Sequence, residues 1–122
     1  MSIDKKALAQ FIGTQKWHRF NRLSPNSLLT DGALYVADEG GAYWLMDIIA
    51  SAQLDPKVKA EPFQAWTLAV NDDQSAIARA TDGNENLIYT QAIKWTDFSL
   101  DNIKLYAAKE EDYLIIMLPS EY

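Results

Sequence analysis

We expect the fold to be organised around the stretch from Gly40 to Gln53, which reads Gly-Gly-Ala-Tyr-Trp-Leu-Met-Asp-Ile-Ile-Ala-Ser-Ala-Gln. Within residues 42–52 the polar side chains are Asp47 and Ser51, which stand four apart. Residues four apart share a helix face, so Tyr43, Asp47 and Ser51 would form one narrow polar stripe on an otherwise apolar rod. The pattern predicts a central helix that most of the domain must cover.

The length and composition of the chain indicate what kind of protein contains this helix. The chain has 122 residues, and 48% of them are hydrophobic. These values are typical of one folded unit, so we expect residues 1–122 to form a single compact domain. The absence of Cys excludes disulfides and Cys-ligated metals and favours a reducing cytoplasm. Because no apolar run approaches the roughly 20 residues that cross a bilayer, we expect a cytoplasmic protein with no membrane partner.

Charge is distributed unevenly along the chain. The net charge is −6, yet residues 1–22 carry five basic residues against Asp4 alone, and all other acidic residues lie beyond them. An acidic body disfavours contact with a phosphate backbone and could attract a basic partner. A solvated acidic surface is the simpler interpretation.

From Phe63 onward the hydrophobic pattern changes from helical to alternating. It predicts five strands, at Phe63–Val70, Ser75–Thr81, Leu87–Trp95, Ile103–Ala107 and Tyr113–Leu118. The last is apolar on both faces, which indicates a central or covered strand. Shorter helices are predicted at residues 3–12 and Gly32–Asp38. We therefore predict an α+β fold: an antiparallel sheet of about five strands with a buried central helix and one or two shorter N-terminal helices packed on one face.

The segment Lys16–Arg22 interleaves basic and aromatic residues. That composition is typical of surfaces that stack single-stranded nucleic acid. It is equally typical of an edge strand whose Lys and Arg side chains prevent aggregation. The acidic remainder of the chain favours the edge strand, so we expect no nucleic-acid partner.

Motifs that carry chemistry are absent from the sequence. It holds no Gly-rich phosphate loop, nucleophile elbow, paired-His helix or calcium loop. His18 is the only histidine, so a multi-histidine metal site is excluded. The acidic clusters Asp72-Asp73 and Glu110–Asp112 fall where turns are expected. We predict no catalytic residue, no metal and no cofactor.

One polar constellation, on the central helix, needs a partner. A carboxylate on an apolar helix must be paired or face water, because burying it alone is costly. Asp47 could pair with Arg19, Arg22 or a loop amide and hold the N-terminal segment down, or it could line a small cleft. The candidate binding or polar cleft comprises His18, Tyr35, Asp38, Tyr43, Trp44, Asp47 and Ser51.

Several segments together resemble the signature of a known family. They are Thr30-Asp31-Gly32, Gly41–Ser51, Phe63–Leu68, Thr96–Leu100 with Ile103–Tyr106, and Leu118–Tyr122. The set resembles an uncharacterised domain-of-unknown-function family of small single-domain proteins carried by bacteria, plasmids and phages, in which Pro is expected at the position of Ser99. The resemblance implies a bacterial or mobile-element origin and an accessory role. The resemblance assigns no catalytic role to any residue of this sequence.

Three functional hypotheses follow. The leading one is a non-enzymatic accessory protein that binds another protein, such as a host factor or defence component. The alternative is a small-molecule binder or minor enzyme that uses the region of Tyr43, Asp47 and His18. The third is single-stranded nucleic-acid binding by Lys16–Arg22. A homodimer is left open, since an edge strand could pair across a two-fold axis.

Overall fold

The computed structural model describes residues 16–122 together with Ile3 and Leu8. In this part of the chain, seven strands form one mixed sheet. They are β1 (His18–Arg19), β2 (Ser27–Leu29), β3 (Phe63–Val70), β4 (Ala76–Thr81), β5 (Leu87–Ile93), β6 (Asn102–Glu110) and β7 (Tyr113–Met117). Their order across the sheet is β1-β2-β7-β6-β3-β4-β5. The β2–β7 pair is parallel and the other neighbouring pairs are antiparallel.

Three helices lie between β2 and β3: α1 (Asp31–Glu39), α2 (Tyr43–Ala52) and the single turn α3 (Pro56–Lys59). Thr30 begins α1, because its hydroxyl oxygen accepts a hydrogen bond from the Ala33 N–H at 3.2 Å. Gly41, with φ +59°, supplies the left-handed conformation at the corner between α1 and α2. A 3₁₀ turn, Pro119–Glu121, ends the chain. The helix predicted at residues 3–12 lies outside the described residues, apart from Ile3 and Leu8.

The core lies between these helices and one face of the sheet. Successive strand residues face opposite sides, and in β3 Gln64, Trp66 and Leu68 are buried while the residues between them are more exposed. Most buried apolar side chains of the helices and of this sheet face belong to one cluster, whose largest fully buried members are Trp66, Leu29, Leu45, Met46, Ile49, Leu68, Leu105 and Ile116.

The prediction of an antiparallel sheet of about five strands is wrong. Of the two further strands, β1 lies in the segment interpreted as an edge strand but not counted in the sheet, and β2 is three residues long, too short to show an alternating pattern. In the parallel pair of β2 and β7, Leu28 lies opposite Ile115. That pairing joins segments far apart in the sequence, and no local pattern predicts it.

The prediction of a buried central helix is also wrong. The face of α2 that meets the core is buried, but Asp47 and Ser51 are exposed and Tyr43 is 39% exposed. The polar stripe therefore lies in water and is not enclosed by the domain. The physical reason is that a single layer of helices rests on one sheet face, so each helix keeps a side toward solvent.

Two predictions about individual strands are confirmed. The segment Lys16–Arg22 contains β1, which is an edge strand. The strand predicted to be central, β7, lies between β2 and β6, and its residues Leu114–Met117 are buried. β7 is apolar on both faces because Leu114 and Ile116 belong to the core cluster, while Ile115 and Met117 line the opposite side of the sheet together with Phe63.

Candidate functional site

The residues of the predicted polar cleft form separate hydrogen-bonded pairs. The His18 Nε2 atom lies 2.8 Å from Asp31 Oδ1, at the start of α1. The Asn21 side-chain amide donates to Asp47 Oδ1 at 3.0 Å. Asn21 thus supplies the loop amide that was one of the predicted partners of Asp47, and it ties the loop after β1 to the polar stripe of α2.

Within the predicted set, the structure joins Tyr43 to Asp38. The Tyr43 hydroxyl donates a hydrogen bond to Asp38 Oδ1. This hydrogen bond, with lesser contributions from partial burial and from the negative charge of Asp38, raises the pKa of Tyr43 to about 12. Tyr43 is consequently a protonated donor at neutral pH and cannot act there as a base.

The remaining members of the set face different surroundings. The Ser51 hydroxyl donates to the Ile48 carbonyl oxygen, one turn back in the same helix, at 3.2 Å. Tyr35 and Trp44 are half-buried and pack against the core. The hypothesis that these residues form a small-molecule site stays a prediction.

Two segments of the family resemblance meet at the start of α1. Glu121 Oε2 accepts from the Gly32 N–H at 3.0 Å, and Glu121 Oε1 accepts from the Thr30 hydroxyl at 2.6 Å. The Leu118 N–H also donates to Glu121 Oε1, at 2.9 Å. A carboxylate at this position satisfies a free helix N–H and complements the helix dipole. Thr30-Asp31-Gly32 and Leu118–Tyr122 therefore hold the chain end in the fold.

A candidate binding surface lies on the opposite side of the sheet, which none of the described helices covers. We call it the open face. Alternation along β3, β6 and β7 directs aromatic and apolar side chains to it, because they occupy the positions between the core residues. Its apolar members are Trp17, Leu28, Phe63, Tyr106, Tyr113, Ile115, Met117 and Tyr122.

The open face contains a groove of about 760 Å³, which we call the Trp17 groove. Trp17, 53% exposed, and Tyr113, 38% exposed, line the groove together with the apolar side chains of Leu28 and Ile115. The charged lining consists of Arg19, Glu110 and Glu111. The groove thus combines accessible aromatic rings with a predominantly acidic rim.

A second groove, of about 510 Å³, adjoins the first and shares Trp17, Glu110 and Ile115 with it. It leads to three packed rings, in which the centroid of Phe63 lies 4.9 Å from Tyr106 and 5.1 Å from Tyr122. These separations are favourable for aromatic pairs. The C-terminal ring is itself 77% exposed, so the aromatic surface extends from β1 to the end of the chain.

Sequence reasoning missed this surface. The sequence pattern placed Trp17 in an edge strand and Tyr113 in an apolar strand, and neither assignment indicates that the two residues share a surface. A signal was available in β6, where Tyr106 stands between the core residues Leu105 and Ala107. An aromatic residue at a strand position that points away from the core indicates an apolar patch on the outer face of the sheet.

Fold and site together define an α+β protein with helices on one face of a mixed sheet and an aromatic groove on the other. The chain belongs to a family of unknown function (DUF6876), whose profile matches residues 2–122. No curated protein and no solved structure matches the chain. None of the helices in the described residues is long and apolar enough to cross a membrane. Across residues 16–122 with Ile3 and Leu8, no cluster of His, Cys, Asp and Glu is arranged to hold a metal ion.

Proposed function

We propose that this chain is an accessory protein of bacterial or mobile-element origin that acts by binding another protein at the Trp17 groove. The observation that carries the proposal is the pair of accessible aromatic rings, Trp17 and Tyr113, which line one groove together with the less exposed apolar side chains of Leu28 and Ile115. Contiguous apolar surface with a polar rim is typical of protein-interaction sites. Trp and Tyr are also the residues that most often dominate the binding energy of such sites.

The rim indicates the chemistry of the partner. Glu110 and Glu111 line the groove with Arg19 as the single basic member, and the whole chain carries a net charge of −6. A complementary partner therefore presents an apolar side chain with Lys or Arg beside it. The basic cluster predicted at Lys16–Arg22 does not create a phosphate site in this proposal, because two carboxylates, Glu110 and Glu111, line the same groove as Arg19.

The first experiment captures the partner. Tagged protein is incubated with bacterial lysate, with and without nuclease, and the retained protein is identified by mass spectrometry, purified and titrated by calorimetry. Trp17→Ala should raise Kd by about 30-fold, since truncation of a central aromatic anchor costs about 2 kcal/mol. Circular dichroism verifies that the variant is folded.

Leu23→Ala is the control, because Leu23 is an even more exposed apolar side chain, at 94%, but does not line the groove. It should bind with an unchanged Kd. Equal Kd values for the two variants would exclude the Trp17 groove. Capture that disappears with nuclease would indicate nucleic acid instead, and a bait that emerges alone would direct attention to the Tyr43 and Asp47 region and a thermal-shift screen of metabolites.

A further inference from the structure

We propose that two copies of this chain associate through antiparallel pairing of their β5 strands, which joins the two sheets into one across a two-fold axis. The evidence comes from β5 and its flanks and is independent of the Trp17 groove. A variant that loses partner binding can therefore keep the dimer, and the two proposals fail separately.

β5 is the open edge of the sheet. It pairs with β4 on one side, from Ala76 opposite Ile93 to Ala80 opposite Tyr89. No strand in the described part of the chain pairs with its other side. The neighbouring helix α3 contacts β5 from the core side, since its Val58 side chain is fully buried in the core cluster and the Val58 carbonyl oxygen accepts from the buried Gln64 amide. The outer backbone groups of β5 are therefore a template for another strand.

This edge lacks the features that keep edge strands apart. β5 reads Leu-Ile-Tyr-Thr-Gln-Ala-Ile, without a charge, a Pro or a Gly. Natural edges are usually short, charged or interrupted. The opposite edge follows that rule, because β1 is two residues long and contains Arg19. A bulge near Thr81 affects the start of β5 and leaves Tyr89–Ile93 in regular pairing with β4.

A second copy of this chain fits the edge better than an unrelated strand. In antiparallel pairing the end of one strand lies beside the start of the other, which places Lys94 of one copy near Glu85 of the second copy. The exposed side chains of Leu87, at the start of β5, and Trp95, just after its end, are placed in the same way: Leu87 of one copy lies near Trp95 of the second copy. A two-fold axis makes each of these contacts twice. The uncharged strands let two acidic proteins meet without like charges at the seam.

Sedimentation equilibrium tests the dimer with two matched double variants. Thr90→Glu/Ala92→Glu adds carboxylates at the β5 edge. Thr67→Glu/Ala69→Glu adds the same charges on β3, two strands inward, in the same two rows of the sheet. Wild type and the β3 variant should show twice the chain mass of 13.8 kDa, and the β5 variant should show the chain mass itself. Circular dichroism verifies folding, and an unfolded β5 variant is replaced by Ala92→Glu alone.

Three results would overturn the proposal. The first is a wild-type protein that sediments at the chain mass over the whole concentration range. The second is a dimer that persists in the folded β5 variant, which would assign the interface to another surface. The third is a wild-type monomer whose captured partner is lost in the β5 variant, which would assign the edge to a strand of that partner. Trp17→Ala should leave the dimer intact.

Discussion

Glu121, one residue from the C-terminus, joins the end of the chain to the start of α1. Its carboxylate accepts hydrogen bonds from Thr30, Gly32 and Leu118. This contact explains why a glycine occupies the first turn of the helix. A Cβ atom at Gly32 would lie 2.4 Å from Glu121 Oε1 and 2.7 Å from Leu118 Cδ1. The carboxylate cannot move away without breaking the bonds that hold it.

Gly32→Ala should therefore destabilise the protein. In an unobstructed helix, replacing Gly by Ala stabilises by up to about 1 kcal/mol. Here we expect the free energy of unfolding to fall by about 1–3 kcal/mol, since overpacking costs that much. Urea denaturation measures the change. In a Glu121→Ala background the penalty should shrink, because the nearest obstructing atom is gone. An unchanged penalty in that background would assign the clash to Leu118.

At the scale of elements, one buried amide network fastens the end of α2, α3 and β3 together. The side chains of Gln53 and Gln64 exchange two hydrogen bonds of 2.9 Å. Gln64 also donates to the Val58 carbonyl oxygen at 3.0 Å, and Trp66 Nε1 donates to Gln64 Oε1 at 3.1 Å. Gln64 is fully buried, and every polar atom of its side chain is paired. Such a network specifies one docking position for the helices.

Gln64→Leu should lower the free energy of unfolding by about 2–4 kcal/mol, because Trp66 Nε1 and the Val58 carbonyl oxygen lose their hydrogen-bond partner in a buried site. Urea denaturation of the variant provides the value. Gln91→Leu is the matched control: Gln91 accepts a hydrogen bond from Tyr89 but is half-exposed. Its replacement should change stability by less than about 1 kcal/mol. Similar losses in both variants would contradict the role assigned to the network.

At the scale of the whole molecule, we expect the acidic charge to influence the rate of the proposed association with a basic partner. The net charge of −6 is spread over a surface on which the Trp17 groove carries Glu110 and Glu111. Long-range attraction between this surface and a basic partner accelerates their encounter. At moderate ionic strength, salt screens this attraction over distances greater than about 10 Å.

The association rate constant of the captured partner should therefore fall as NaCl is raised, with a smaller change in the dissociation rate constant. Surface plasmon resonance at several salt concentrations measures both. Glu110→Gln/Glu111→Gln should flatten the salt dependence, since it removes the charges nearest the groove. A wild-type association rate that does not respond to salt would show that the acidic surface does not steer the partner.

The sequence by itself determined the elements whose residues repeat with a clear period. The helix predicted at Gly32–Asp38 is α1, which extends one residue further at each end, and the predicted polar stripe of Tyr43, Asp47 and Ser51 is exposed on α2. The predicted strands correspond to β3–β7. Family membership was also predicted from short segments and is confirmed. Periodicity sufficed in these cases because burial of one face acts on each element locally.

Only the tertiary structure decided how the elements are arranged. The parallel pairing of β2 with β7, the reach of Glu121 to Gly32 and the assembly of Trp17 with Tyr113 each join residues from distant parts of the sequence. The same holds for the choice of which sheet face the helices cover, and hence for the open face and the free edge of β5. These features depend on the packing of the whole chain, and a local pattern contains no information about which distant segment will be the neighbour.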